Sequence, residues 1–159
     1  MAVSNNVTRL LDARKITYEA KELSAEKHSA LETAEALHVP AETVYKTIVV
    51  KREKGKPILA VVPGPNRVDL KLVAAAVGEK KVSLTTQAEA EQLTGLLTGG
   101  ISPLALIHKG FQVIIDAAAQ QHGKIHVSGG QRGLTILLPV ADLAALVNAQ
   151  FAEVSRPAE

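Results

Sequence analysis

The chain alternates between apolar residues at helical spacing and short apolar runs of the kind that form strands. Val3, Val7, Leu10 and Leu11 predict an amphipathic helix over the first dozen residues. Two later helices begin with capping-box patterns at 29–32 and 86–89, and the second is expected to stop at the glycine at 95. Two more helices are predicted, one from an acidic N-cap at 69 to 78 and one over 142–147.

The remaining apolar runs are rich in β-branched residues and predict strands. These runs lie at 16–20, 44–51, 58–62, 82–84, 111–116, 124–128 and 134–138, with an edge strand expected over 151–154. A hairpin turn is expected at 54–57, and the Pro and Gly residues of 63–66 are expected to break the chain. Because hairpins and crossovers both occur, we expect a mixed α/β fold, one sheet flanked by helices in a single domain over 1–159.

Composition limits the chemistry open to the protein. The chain has 159 residues, 47% of them hydrophobic, which is enough for one globular core. It has no cysteine, which excludes disulfides, thiolate catalysis and zinc bound by cysteine. No apolar run approaches the roughly 18 residues of a membrane span, and the N-terminus lacks the pattern of a secretory signal. We therefore expect a soluble, cytoplasmic protein that does not contact a membrane.

The charge pattern gives weak support for general nucleic-acid binding. A net charge of +2 permits contact with a phosphate backbone without requiring it. The densest basic cluster, residues 51–56, is interrupted by Glu53 and contains no aromatic residue for stacking on bases. A solvated hairpin turn is favoured there over a patch that binds RNA without specificity.

Motifs of several enzyme classes are absent from the sequence. No G-x-S-x-G pattern surrounds Ser102 or Ser128, which argues against an α/β-hydrolase nucleophile. The glycines at 95–100 lack the lysine of a P-loop and the spacing of a dinucleotide fingerprint. His122 and His126 are four residues apart in a strand-like segment, so we interpret the histidines as surface residues rather than metal ligands. No metal or other cofactor is expected.

Lys46 lies on a predicted strand face that is otherwise apolar. Alternation along the strand places it beside Val44, Ile48 and Val50. Burial of an unpaired ammonium is costly, so Lys46 needs a counter-charge or a ligand in that position. Spacing alone supports equally well a lysine near the strand start whose ammonium extends to water.

Two glycine-rich segments, 94–104 and 128–133, offer backbone N–H and C=O groups to a ligand. The second is also typical of a hairpin loop between antiparallel strands, and the two interpretations are compatible. Together with one lysine and several hydroxyls, such loops can hold an anionic or carbonyl group and stabilise an oxyanion.

Four segments in order resemble the YbaK/EbsC family of Cys-tRNA(Pro) deacylases, relatives of the editing domain of bacterial prolyl-tRNA synthetases. These segments are 45–50, 68–74, 94–104 and 127–134, and the resemblance spans about 10–154. It implies a curved mixed sheet with a barrel-like core and peripheral helices. It also implies hydrolysis of the ester that joins a wrong amino acid, chiefly cysteine, to the acceptor end of proline tRNA. No protein nucleophile is implied, since the substrate's thiol or the adenosine hydroxyl takes part.

The resemblance also implies a set of site residues. Lys46 is expected near the terminal nucleotide, and the backbone of Gly99, Gly100 and Ile101 is expected to face the aminoacyl carbonyl as the catalytic loop. Further substrate-binding residues are expected at Thr47, Ser102, Asp116, Ser128, Gly129 and Gly130.

Three positions depart from the family pattern, at Leu23, Thr135 and Leu137. They leave open which small amino acid is removed, because a pocket separates such groups by only about 1–3 kcal/mol. The alternatives are a deacylase for Ala or Ser on tRNA and a non-catalytic module that binds aminoacyl or nucleotide ligands. Since the modest charge predicts few phosphate contacts, a transient complex with prolyl-tRNA synthetase is expected to help in selecting the tRNA.

Overall fold

A computed structural model describes residues 4–158, which form five α-helices and ten strands. The helices are α1 (Asn6–Ala13), α2 (Ala30–Leu37), α3 (Leu70–Val77), α4 (Gln87–Thr94) and α5 (Val140–Val147). The strands are β1 (Glu19–Glu22), β2 (Tyr45–Arg52), β3 (Ile58–Pro63), β4 (Asn66–Val68), β5 (Val82–Leu84), β6 (Gln112–Asp116), β7 (Lys124–Ser128), β8 (Leu134–Pro139), β9 (Gln150–Ala152) and β10 (Ser155–Pro157). Short 3-10 helices occur at Ala41–Thr43, Leu104–Lys109 and Ala117–Gln121.

Side-chain caps mark the start of four of the five helices, and three of these caps were predicted from the sequence. Both capping boxes form, from Ser29 at the start of α2 and from Thr86 at the start of α4. The Asp69 carboxylate accepts hydrogen bonds from two backbone N–H groups of α3. Asn5 caps α1, which therefore begins at Asn6; Val3, assigned to this helix from the sequence, lies outside the described residues.

The strands form a mixed arrangement. Five of them make a sheet in the order β5-β2-β3-β6-β9, in which β2 is antiparallel to β3 and β5 while β6 is parallel to β3 and β9. The antiparallel sheet β1-β8-β7 meets it through a parallel bridge between Val44 and His126, and β4 pairs with β10. The mixed fold with flanking helices is confirmed.

The five-stranded sheet has a hydrophobic cluster on each face. All six residues of β3 are buried, and alternate positions point to opposite faces of the sheet. Leu59 and Val61 pack in the cluster that includes α1, α5 and the three-stranded sheet, whereas Ile58 and Ala60 pack in the cluster that includes α3. Strand β2, which carries Lys46, pairs along its length with this buried strand.

The differences from the sequence prediction concern short elements. The expected chain break at 63–66 is only a tight turn, because β3 runs through Pro63 and β4 begins at Asn66. The first strand begins three residues later than predicted, and the expected edge strand at 151–154 is two separate strands, β9 and β10. None of the helices within 4–158 is long and apolar enough to cross a membrane.

Candidate active site

A cavity of about 370 Å³ lies where the first half of β2 meets α2, the first glycine segment and the β7–β8 hairpin. Its lining residues are 23, 27–31, 33, 44–48, 64, 98, 99, 101, 127, 128 and 133–135. Its volume falls within the roughly 300–1,000 Å³ typical of sites for small ligands. Elements that are far apart in the sequence therefore converge on one concave surface.

Lys46 is a half-buried cation in the wall of this cavity. It pairs with Val62 across the sheet, and its Nζ donates a hydrogen bond to the Gly64 carbonyl at 3.1 Å. Within residues 4–158 no carboxylate forms an ion pair with it. Burial lowers the pKa of the Lys46 ammonium. The lysine is thus a cation with a neutral partner, and the cavity can offer it an anionic ligand.

The first glycine segment forms a β-turn at the edge of the cavity. The Gly100 N–H donates to the Leu97 carbonyl at 2.8 Å, and Gly99 has φ +94°, the conformation that a type II turn requires at its third position. Gly99 and Ile101 line the cavity. No acceptor among the described residues bonds the backbone N–H of either one. Two backbone donors are therefore free for a ligand.

Three hydroxyls at the cavity have no hydrogen-bond partner within the described part of the chain. They belong to Tyr45, Thr47 and Thr98, and each oxygen is inaccessible to solvent. Burial raises the pKa of Tyr45, with a further contribution from the charge of Asp116. Buried polar groups usually find partners, so these hydroxyls are exceptions among the described residues.

The structure brings five of the expected site residues together at this cavity: Lys46, Thr47, Gly99, Ile101 and Ser128. The others, apart from Asp116, lie next to its wall and have packing roles. A Cβ on Gly100 would lie 2.9 Å from the Gln131 backbone, and one on Gly129 would lie 2.6 Å from the Leu134 side chain. Gly130 has φ +93° and donates its N–H to Ser128 Oγ, while the buried Ser102 hydroxyl accepts from the Leu104 N–H.

Asp116 does not line the cavity, in contrast to the sequence expectation. Its carboxylate accepts hydrogen bonds from the N–H groups of Ala118 and Val154 and from the Ser155 hydroxyl at 2.7 Å. The side chain is 4% exposed. These contacts join the end of β6 to the C-terminal segment, so we assign Asp116 a structural role.

His126 is buried, and the interpretation of all the histidines as surface residues was wrong at this position. The side chain is 4% exposed on β7. Its Nδ1–H donates to the Thr43 carbonyl, which leaves Nε2 to accept from Lys21 Nζ, both at 3.3 Å. Burial is the main cause that lowers the pKa of His126, which favours the neutral ring. Within residues 4–158 no three His, Asp or Glu side chains cluster to hold a metal ion.

Sequence reasoning missed part of the cavity wall. Lys27 and His28 come from the segment before α2, where no motif marks them, and Lys27 Nζ donates to Gln87 Oε1 at 3.0 Å. The lining serines do not resemble activated nucleophiles. The Ser29 hydroxyl caps α2 in a capping box with Glu32 and Ser128 Oγ accepts from Gly130, and neither bonds to a described histidine.

Comparison with known proteins identifies the family. The profile described as "Aminoacyl-tRNA editing domain" matches residues 24–146. An Enterococcus faecalis protein named "Putative Cys-tRNA(Pro)/Cys-tRNA(Cys) deacylase EbsC" is 37% identical over 152 residues, which are 94% of this chain and 92% of the relative. An Escherichia coli K12 protein named "Multifunctional Ser/Thr-tRNA deacylase ProXp-y" is 24% identical over 102 residues, 64% of this chain and 60% of the relative.

Solved structures share the fold. One described as "Crystal structure of a putative trans-editing enzyme for prolyl tRNA synthetase" matches with TM-score 0.78 and 26% identity, over 98% of this chain and 99% of the other. The hypothetical protein APE2540 matches with TM-score 0.87 and 24% identity over 96% and 100% of the two chains. Both relatives are named as aminoacyl-tRNA deacylases. Such enzymes hydrolyse ester bonds, in agreement with the enzyme class expected from the sequence. The profile match and the EbsC relative show that the chain belongs to the aminoacyl-tRNA editing domain family, of YbaK/EbsC type.

Proposed function

We propose that the protein is a free-standing editing enzyme that hydrolyses Cys-tRNA(Pro) at the ester of its 3′-terminal adenosine. The observation that carries this proposal is one cavity with a half-buried cation, Lys46, and two unpaired backbone donors, at Gly99 and Ile101. The sequence identity to a relative named for this substrate extends over most of both chains, which supports the choice of cysteine and of proline tRNA.

The cation and the backbone donors have separate tasks in this mechanism. The Lys46 ammonium binds the phosphate or hydroxyls of the terminal nucleotide and so positions the ester. The N–H groups of Gly99 and Ile101 donate hydrogen bonds to the carbonyl oxygen of the ester. Negative charge develops on this oxygen as the carbonyl carbon becomes tetrahedral. The ester C–O bond then breaks, and the ribose oxygen leaves with a proton.

The attacking group is water rather than a group of the protein. Neither Ser29 nor Ser128 bonds to a histidine within the described residues, which supports this assignment. Water forms the new bond to the carbonyl carbon and supplies the proton of the leaving ribose oxygen. The thiol of the misattached cysteine or the free hydroxyl of the terminal adenosine takes part by hydrogen bonding to that water. The enzyme contributes position and electrostatic stabilisation.

Prolyl-tRNA synthetase is the proposed partner in selecting the tRNA. The match to a structure described as a trans-editing enzyme for that synthetase supports the pairing. The net charge of +2 supports it too, because few phosphate contacts give weak affinity for tRNA alone.

The direct test is the deacylation rate of Cys-tRNA(Pro) with the wild type, Lys46→Ala and Lys51→Ala. Lys51 lies on the same strand but forms an ion pair with Glu89 at 2.7 Å, away from the cavity, so it is a matched control. We expect Lys46→Ala to lose about 100-fold or more in rate, with Lys51→Ala near the wild type. A Lys46→Ala variant as active as the wild type would remove the lysine from the mechanism.

Serine on tRNA is the second candidate substrate. The relative named as a Ser/Thr-tRNA deacylase favours it, although that match covers 64% of this chain. Clearance of a serine-charged proline tRNA faster than a cysteine-charged one would keep the enzyme class and change the substrate. Binding of either tRNA without any hydrolysis would instead indicate a non-catalytic module.

A further inference from the structure

The first glycine turn is held on its outer side by an ion pair between α4 and the β7–β8 loop. Arg132 Nε donates to the Thr98 carbonyl at 2.7 Å, and Glu91 Oε2 accepts from the Thr98 N–H at 2.8 Å. The same Glu91 oxygen lies 3.9 Å from an Arg132 Nη atom. Both backbone polar groups of Thr98 are therefore bonded to one pair of charged side chains, and neither of these lines the cavity.

These bonds hold two successive peptide groups: Glu91 accepts from the N–H of the Leu97–Thr98 peptide, and Arg132 donates to the C=O of the Thr98–Gly99 peptide. Thr98 and Gly99 are the two central residues of the turn from Leu97 to Gly100. Types I and II of such a turn differ by a reversal of the peptide between the central residues. The peptide is trans, so its N–H points opposite to its C=O. Because the Thr98 C=O points at Arg132, the Gly99 N–H points away from Arg132. Gly99 itself lines the cavity.

We propose that Glu91 and Arg132 are positioning residues that lock the turn, Glu91 through the Leu97–Thr98 peptide and Arg132 through the Thr98–Gly99 peptide, so that the Gly99 N–H stays available as a donor to the ligand. The catalytic consequence rests on the proposed function, whereas the locked turn does not. The charge of the Glu91 carboxylate supports the lock. The hydrogen bond from the Thr98 N–H is the main cause that lowers the pKa of Glu91, and the charge of Arg132 lowers it further. Hydrogen bonds to ionised groups are stronger than neutral ones.

Amide hydrogen exchange in the ligand-free protein tests the lock without any substrate. We expect Glu91→Ala to speed exchange at Thr98 about tenfold or more, because the acceptor of its N–H is lost. Glu91→Gln keeps an acceptor oxygen without the charge and should give a smaller increase. The control is Glu89→Gln, which alters an ion pair on the same helix, with Lys51, and should leave Thr98 unchanged. Unchanged exchange at Thr98 in Glu91→Ala would overturn the proposal.

Steady-state deacylation of Cys-tRNA(Pro) separates positioning from general stability. Arg132→Met and Glu91→Ala should lower kcat about tenfold or more, with KM within twofold, since the cavity walls remain. Glu91→Gln should keep more of the wild-type kcat than Glu91→Ala does. The control Glu89→Gln should keep all of it. If Glu91→Ala does not fold, Arg132→Met decides by the same readouts.

The two proposals fail in different ways. An inactive wild type would contradict the proposed function, while the exchange experiment would still decide the lock. An active wild type whose Glu91 and Arg132 variants keep its kcat would overturn the positioning role alone.

Discussion

At the scale of single residues, Lys46 has the largest consequence. The sequence left two interpretations open, an ammonium extended to water and one held for a ligand, because spacing does not show what surrounds a side chain. The structure gives it a half-buried position, one carbonyl partner at 3.1 Å and a lowered pKa. A half-buried ammonium without a counter-charge lowers the free energy of unfolding. Such a loss of stability is a common feature of functional sites.

Replacement of Lys46 by Met should therefore stabilise the protein while it removes activity. We expect Tm near neutral pH to rise by up to about 3 °C, the effect of roughly 1 kcal/mol in a domain of this size. Because burial lowers the pKa of Lys46, the folded wild type binds fewer protons than the unfolded chain between that pKa and 10.5. The contribution of Lys46 to wild-type stability should therefore rise with pH through that window, and the advantage of Lys46→Met should shrink.

Thermal unfolding of both proteins at several pH values checks this expectation. Lys51→Met is the control on the same strand, since it removes a paired lysine and should not raise Tm. A Lys46→Met variant less stable than the wild type at neutral pH would show that the ammonium stabilises the fold.

At the scale of elements, the two glycine segments work as one unit. The sequence predicted both as loops with available backbone groups, yet it gave no sign that the second supports the first. Gly100 packs directly on the backbone at Gln131, and the Asn5 side chain donates to the Gly129 carbonyl and to Gln131. Contacts between segments this far apart follow from the tertiary fold, so local pattern cannot reveal them.

Gly100→Ala should separate these two loops. Its Cβ would lie 2.9 Å from two backbone atoms of Gln131, which cannot move aside as a side chain can. We expect a loss of about 1–3 kcal/mol in the free energy of unfolding, the usual cost of overpacking, together with a fall in deacylation rate. Denaturant unfolding measures it. Gly123→Ala is the control, because nothing lies within 4 Å of its Cβ, and it should stay within about 0.5 kcal/mol. Equal stability of the two variants would contradict the close packing.

At the scale of the whole molecule, the sequence predicted the long elements and the short strand β5, but it missed β4 and gave β9 and β10 as one edge strand. Three helix starts followed from the caps at Ser29, Asp69 and Thr86, since capping is a local interaction, whereas the cap of α1 at Asn5 was not predicted. Strands β4 and β10 have three residues each and are defined by pairing with each other, a contact between distant segments that local pattern does not show. The burial of His126 was missed because its partner Lys21 lies 105 residues away.

The deacylation of proline tRNA charged separately with cysteine, alanine, serine and proline tests the central claim most directly. The expected result is rapid loss of cysteine, slower loss of alanine and serine, and no loss of proline above the spontaneous rate. Stability of all four esters, or equal hydrolysis of the proline ester, would contradict the assignment of this cavity as an editing site.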